Sequence, residues 1–217
     1  MGDLLVEIAP LLLAAAISPA TIGIVVLIIA TAEQPLRRAL AFTAGFTLLL
    51  VPMSVAGLLA FSGARSSVDT GSPAFAWIDI GAGLVLLVTS LASLTRTNSL
   101  EEAQQRLRGA PVAAYFGFGV VMMLTNLNTV AVAVSMLHEI AVADITSFER
   151  YLTLGIVDAV ILIPILAPIA LVAIAPNAAD RVLPKIRAGV DRYGVKVGAA
   201  VFIAIAIYLL VEGISHL

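Results

Sequence analysis

The sequence predicts an all-α, polytopic membrane protein: one transmembrane domain over residues 1–217, built from six helices in two inverted three-helix repeats. Three observations predict it. Of the 217 residues, 61% are hydrophobic and 12% charged, where a soluble domain carries roughly 25% charged residues. Mean hydropathy is +1.09. Six apolar runs, roughly 4–31, 36–61, 76–95, 111–137, 148–175 and 195–214, reach the length of about 20 residues that spans a bilayer. Finally, the basic residues collect on alternate connections between these runs.

The first run carries Asp3 and Glu7 in place of a basic n-region and is too long for a signal peptide, so it reads as the first transmembrane helix. Inside it lies Ile17-Ser18-Pro19-Ala20-Thr21. Pro19 has no backbone donor and its ring clashes with the carbonyl four residues back, so the helix must kink or open there. The fourth run holds a counterpart, Thr125-Asn126-Leu127-Asn128-Thr129, whose amides hydrocarbon penalises unless they find partners. Prolines also make plain kinks in membrane helices, and asparagines also simply link them. The matched placement of the two interruptions favours a substrate site of the kind that discontinuous helices build near mid-membrane in transporters. Its expected lining is Ser18, Pro19, Thr21, Asn126, Asn128 and Thr129, together with Asp158 of the fifth run.

The connections orient the chain. Arg37 and Arg38 follow the first run, Arg96, Arg106 and Arg108 the third, and Arg181, Lys185, Arg187, Arg192 and Lys196 the fifth. Ten of the twelve basic residues thus share one side, leaving Arg65 and Arg150 on the other. The positive-inside rule makes the basic side cytoplasmic and puts both termini outside. Trp77 and Tyr151 then fall at the outer interface and Tyr193 at the inner one. Residues 98–109 read as a cytoplasmic amphipathic linker, with Ser99 and Glu102 spaced as a capping box and Gly109 and Pro111 as the stop. Residues 178–192 read as a second, basic amphipathic helix, either packed under the bundle or lying on anionic headgroups.

The two halves echo each other. Ser18 and Thr21 match Asn126 and Thr129 at an offset of 108, Arg38 and Pro52 match Arg150 and Pro164 at 112, and Asp79 and Gly81 match Lys196 and Gly198 at 117. This divides the chain into repeats of about 1–97 and 109–217. An odd number of helices per unit forces the second copy to insert upside down.

Asp158 lies about ten residues into the fifth run, between Val157 and Ala159. Placing an acid there costs on the order of 3 kcal/mol, so it is expected to face a cavity or a partner. It serves either as a proton-coupling acid or headgroup ligand, or as a carboxyl bonded to Asn126, Asn128 or a freed backbone amide. Asp79, Glu7, Lys196 and Glu212 lie near helix ends, where snorkelling relieves their charge. Gly81-Ala82-Gly83, Gly117-Phe118-Gly119 and Gly198-Ala199-Ala200 offer small surfaces for close helix contact.

Other chemistries find no support. There is no cysteine, and His138 and His216, the only histidines, sit near helix ends, so no metal site is expected. A phosphate-binding loop and a nucleophile elbow are both missing, so neither an enzyme nor a bound cofactor is expected.

Ser18-Pro19 in the first helix, Asn126 and Asn128 in the fourth, and the three-plus-three repeat resemble the lysine-exporter superfamily, and within it the glycolipid-addressing branch. The resemblance runs through nearly the whole chain. It implies a bacterial inner-membrane transporter that exports or flips a cell-envelope glycolipid. Its partners would be that lipid, the membrane and lipid-export machinery; a homodimer is compatible with it, and nucleic acid is not a partner. Amino-acid exporters of the superfamily tend to carry Pro-Gly-Pro and Asn-Pro-Lys where this chain has Ser18-Pro19-Ala20 and Asn126-Leu127-Asn128, which disfavours a free amino acid. The alternatives are an exporter of small solutes or metal cations, and a scaffold that delivers lipid to a separate pump without transporting it.

Overall fold

A computed structural model describes residues 2–65, 73–95, 107, 109–215 and 217. The described chain is all helical. The first predicted span divides into α1 (Gly2–Glu7), α2 (Ala9–Ala16) and α3 (Pro19–Thr31). The second is α4 (Pro35–Arg65) and the third α5 (Pro73–Thr95). The fourth is broken into α6 (Val112–Thr125) and α7 (Leu127–Val142), bent by 62° at Asn126. The fifth is α8 (Ser147–Ile174), and α9 (Pro176–Ser215) ends the chain. By length and apolarity five of the described helical stretches can cross a membrane, or six when the bent pair counts as one span.

Proline placement explains several boundaries. Pro19, Pro35, Pro73 and Pro176 each open a helix, where the missing N–H is not needed and the fixed φ is already helical. Thr146 starts α8 with a capping box: its hydroxyl accepts from the Glu149 N–H at 3.3 Å, and the Glu149 carboxylate accepts from the Thr146 N–H at 3.0 Å. Pro52, Pro164, Pro168 and Pro184 sit inside helices that continue past them.

The last helix, with Pro184 inside it, differs from expectation. The basic stretch 178–192 is no separate surface helix; it is the first half of α9, which runs unbroken for 40 residues, about 60 Å at 1.5 Å per residue. Its apolar side, Ala179 and Leu183, packs on Val26 of α3. The capping-box motif at Ser99 and Glu102 lies outside the described residues.

Two helix pairs set the frame. Near the start of α5, Ala76 and Ile80 meet Gly213 of α9, and Gly83 meets Ala206 and Leu210, so the two run antiparallel. Helices α4 and α6 approach closely at Gly45 and Gly119. A Cβ on Gly45 would strike the Phe116 carbonyl, 2.9 Å from its carbon, and one on Gly119 would meet the Phe46 nitrogen at 2.9 Å. Gly81 and Gly117, the other members of their motifs, have nothing within 4 Å of such a Cβ. The same pair is tied at its first turns. The Tyr115 hydroxyl donates to the Leu107 carbonyl at 2.8 Å and accepts from Arg38, whose guanidinium lies 5.2 Å from the ring centre.

The expectation that Asp79 snorkels at a helix end is not met. It is 4% exposed, held between α5 and α7 with His138, which is also buried.

Candidate functional site

The two interruptions meet. A cavity of about 250 Å³ is lined on one side by Ser18, Pro19 and Ala20 from the first break, by Asn126 and Asn128 from the second, and by Ser93 of α5. The facing wall is α9, from Val190 through Gly194, Val195, Gly198 and Ala199 to Phe202. The hydroxyl and amide groups come from Ser18, Asn126, Asn128 and Ser93, beside the apolar Pro19 and Ala20, while α9 contributes only apolar side chains and glycine.

The two breaks share a backbone exit and a threonine three residues on, but only the second has a side-chain cap. Ser18 leaves the helical region (φ −114°, ψ 87°) and precedes α3, and Asn126 does so (φ −82°, ψ 70°) before α7. Three residues on, each finds a threonine: the Ser18 and Thr21 hydroxyls share a 2.8 Å hydrogen bond, and the Asn126 carbonyl oxygen accepts from the Thr129 N–H at 3.3 Å. Thr21 and Thr129 are buried and do not line the cavity; they hold the residues that do. Asn128 accepts a short hydrogen bond from the Thr89 hydroxyl of α5, which fixes its amide on the polar wall.

Helices α3 and α7 start at this cavity. First-turn N–H groups lack partners within their own helix, and the dipole adds partial positive charge there. No side chain caps α3, and Pro19 contributes no N–H, so the amides of Ala20 and Thr21 are the first-turn donors that lack a partner within the helix. Two converging helix starts suit an anionic group.

Close packing of α9 closes the far wall. A Cβ on Gly194 would lie 3.3 Å from the Pro19 ring, and one on Gly198 would lie 3.6 Å from it. The cavity sits toward the basic end of the bundle, since Ser93 is close to the last residue of α5 and Val190–Phe202 covers the passage of α9 from its basic to its apolar half. A mid-membrane position was the expectation. The α9 wall, Ser93 and Thr89 were not anticipated, for they read as surface, packing and ordinary span residues.

Asp158, expected in the lining, stands apart from this cavity because its carboxyl turns to Ser54 of α4. It is 8% exposed, and the Ser54 hydroxyl of α4 donates to its carboxylate at 2.7 Å. The partners expected for it, Asn126 and Asn128, are engaged elsewhere.

No curated protein and no solved structure matches the chain. A family model does, over residues 8–215: the one described as Sap, sulfolipid-1-addressing protein. Since that match covers almost the whole sequence, with both breaks, Asp158 and the full length of α9 inside it, the chain belongs to the sulfolipid-1-addressing protein family.

Proposed function

We propose that this protein exports or flips a glycolipid with an anionic head across the bacterial inner membrane, through the cavity between its two broken helices. One observation carries the reading: both breaks open onto a single cavity that combines hydroxyl and amide groups from the breaks with apolar carbon from α9. A sugar head with a sulfate or similar anion fits the Ser18, Asn126 and Asn128 side and the helix starts behind it, while an acyl chain fits Val195, Ala199 and Phe202. The family's name points to the same class of lipid. Among the described residues no carboxylate lines the cavity, which argues against a metal cation as its cargo.

The remaining parts of the reading belong together. Both termini face outward, so the cavity near the basic end collects lipid at the cytoplasmic headgroup level. The shared construction of the Ser18 and Asn126 breaks at an offset of 108 supports a duplicated, inverted unit and membership of the lysine-exporter superfamily. Lateral gating or alternating access then carries the head across.

Photo-crosslinking tests the cavity. A sulfated glycolipid with a diazirine in its acyl chain should label α9 peptides containing Val195–Phe202, and excess unlabelled lipid should compete. Labelling spread evenly over the lipid-facing helices would contradict a dedicated cavity.

Asp158 is the proposed proton-coupling acid, acting through the Ser54 hydrogen bond between α4 and α8. A group whose proton affinity differs between two states biases them by about 1.4 kcal/mol per pKa unit of difference. Asp158→Asn keeps size and hydrogen bonding but cannot titrate. The variant should fold and crosslink as wild type does, yet its transport should no longer respond to an imposed pH gradient. An unchanged response would make Asp158 a structural partner of Ser54 only.

A further inference from the structure

The basic half of α9 sorts its charges by face. An α-helix turns about 100° per residue, so Arg181, Lys185, Arg192 and Lys196 fall within an arc of about 60°. The stripe they form runs along roughly 22 Å of helix at about 1.5 Å per residue. All four are exposed. Asp180, Arg187 and Asp191 lie about 80–120° to one side, where Arg187 and Asp191 pair at 3.7 Å. None of the four stripe cations has a carboxylate partner among the described residues. The opposite flank holds Ala179 and Leu183, buried against Val26 of α3.

We infer that this stripe is a binding surface for the headgroups of anionic phospholipids. It is separate from the cavity and its cargo, since none of the four cations lines that cavity. Charge complementarity carries the assignment. About four to eight cations gathered beside a membrane helix attract anionic headgroups, and here the two acids that could neutralise them are turned to another face. Placement supports it. The stripe ends at Lys196, where α9 passes from its charged to its apolar half. Tyr193 is half-exposed there, with the Arg192 guanidinium 5.0 Å from its ring centre. An amphipathic ring beside a cation suits the headgroup level.

The first half of α9 is then held on two flanks, by apolar carbon against α3 and by cations against phosphate. Because the helix is continuous, headgroups on the stripe steady the wall that Gly194 and Gly198 form against Pro19. Only the choice of leaflet rests on the orientation proposed above.

The chain has no cysteine, so a bimane label on Ala188→Cys, an exposed position within the stripe, reports this face alone. The full-length protein is placed in phosphatidylcholine bilayers with a small, equal fraction of one of two quenchers. These are phosphatidylglycerol and phosphatidylcholine, each with a nitroxide near the glycerol. The phosphatidylglycerol probe should quench at least about twofold more strongly. That excess should vanish in high salt, and in a variant combining Arg181→Gln, Lys185→Gln, Arg192→Gln and Lys196→Gln. A label on Val211→Cys, exposed near the other end of α9, should respond to both probes alike. Equal quenching at position 188, or none by either probe, would overturn the inference. So would a preference that survives high salt or persists in the folded variant. The salt arm decides the matter even if the variant does not fold. None of these outcomes depends on lipid transport, so this surface and the cavity's function can fail separately.

Discussion

Gly119→Ala and Gly45→Ala, made singly, should each destabilise the protein by about 3 kcal/mol, because the obstacle is backbone. A methyl group at Gly119 runs into the carbonyl of Phe42 and the nitrogen of Phe46, and one at Gly45 into the carbonyl of Phe116. A flexible side chain could turn away; these atoms cannot move without separating α4 from α6. Separation would also strain the Arg38–Tyr115–Leu107 network at the ends of the same helices. The helix-forming advantage of alanine over glycine, about 1 kcal/mol, acts in the opposite direction and is too small to win. Gly117→Ala and Gly81→Ala are the controls, since nothing lies within 4 Å of the added atom; they should be neutral or slightly stabilising. Thermal unfolding in detergent reads the difference, roughly 10 °C between Gly119→Ala and Gly117→Ala. Equal melting of these two would mean that α4 and α6 do not approach so closely.

That contrast shows what a sequence can and cannot reveal here. Gly117 and Gly119 share one motif and look alike; only the rotation of α6 against α4 decides which touches. The interruptions were legible because their causes are local. A proline inside an apolar run loses a hydrogen bond wherever it sits, and an asparagine there needs a partner wherever it sits. That both would border one cavity followed from their matched positions, and the structure does bring Ser18, Pro19, Asn126 and Asn128 together.

What stayed hidden was long-range. Ser54 and Asp158 are 104 residues apart, and nothing near either residue names the other. Asp79 looked free to snorkel because its helix end was in view while its neighbour α7 was not. Likewise, nothing near His138 in the sequence points to Asp79, which reaches it from another helix. Helix α9 misled in a different way. The density of charge between Arg181 and Arg192 read as a separate amphipathic helix, yet α9 passes straight through it, and its Val190–Phe202 stretch lines the cavity.

Asn126→Leu should have the largest effect on function. It removes the oxygen that accepts from the Thr129 N–H, a cap worth about 1 kcal/mol, and strips an amide from the polar wall. Leucine also favours a continuous helix across the 62° bend that separates α6 from α7. The most direct measurement of the central claim is lipid movement in vesicles containing only this protein. A fluorescent sulfated glycolipid is placed in both leaflets, and dithionite then bleaches whatever reaches the outside. Wild-type protein should let nearly all of the fluorescence bleach, while vesicles without protein retain the inner-leaflet half. In folded Asn126→Leu the rate of lipid movement should fall by about tenfold or more, equivalent to at least about 1.4 kcal/mol on the barrier. Wild-type vesicles that bleach no further than protein-free ones would contradict the account, and would make the protein a scaffold for lipid movement done elsewhere.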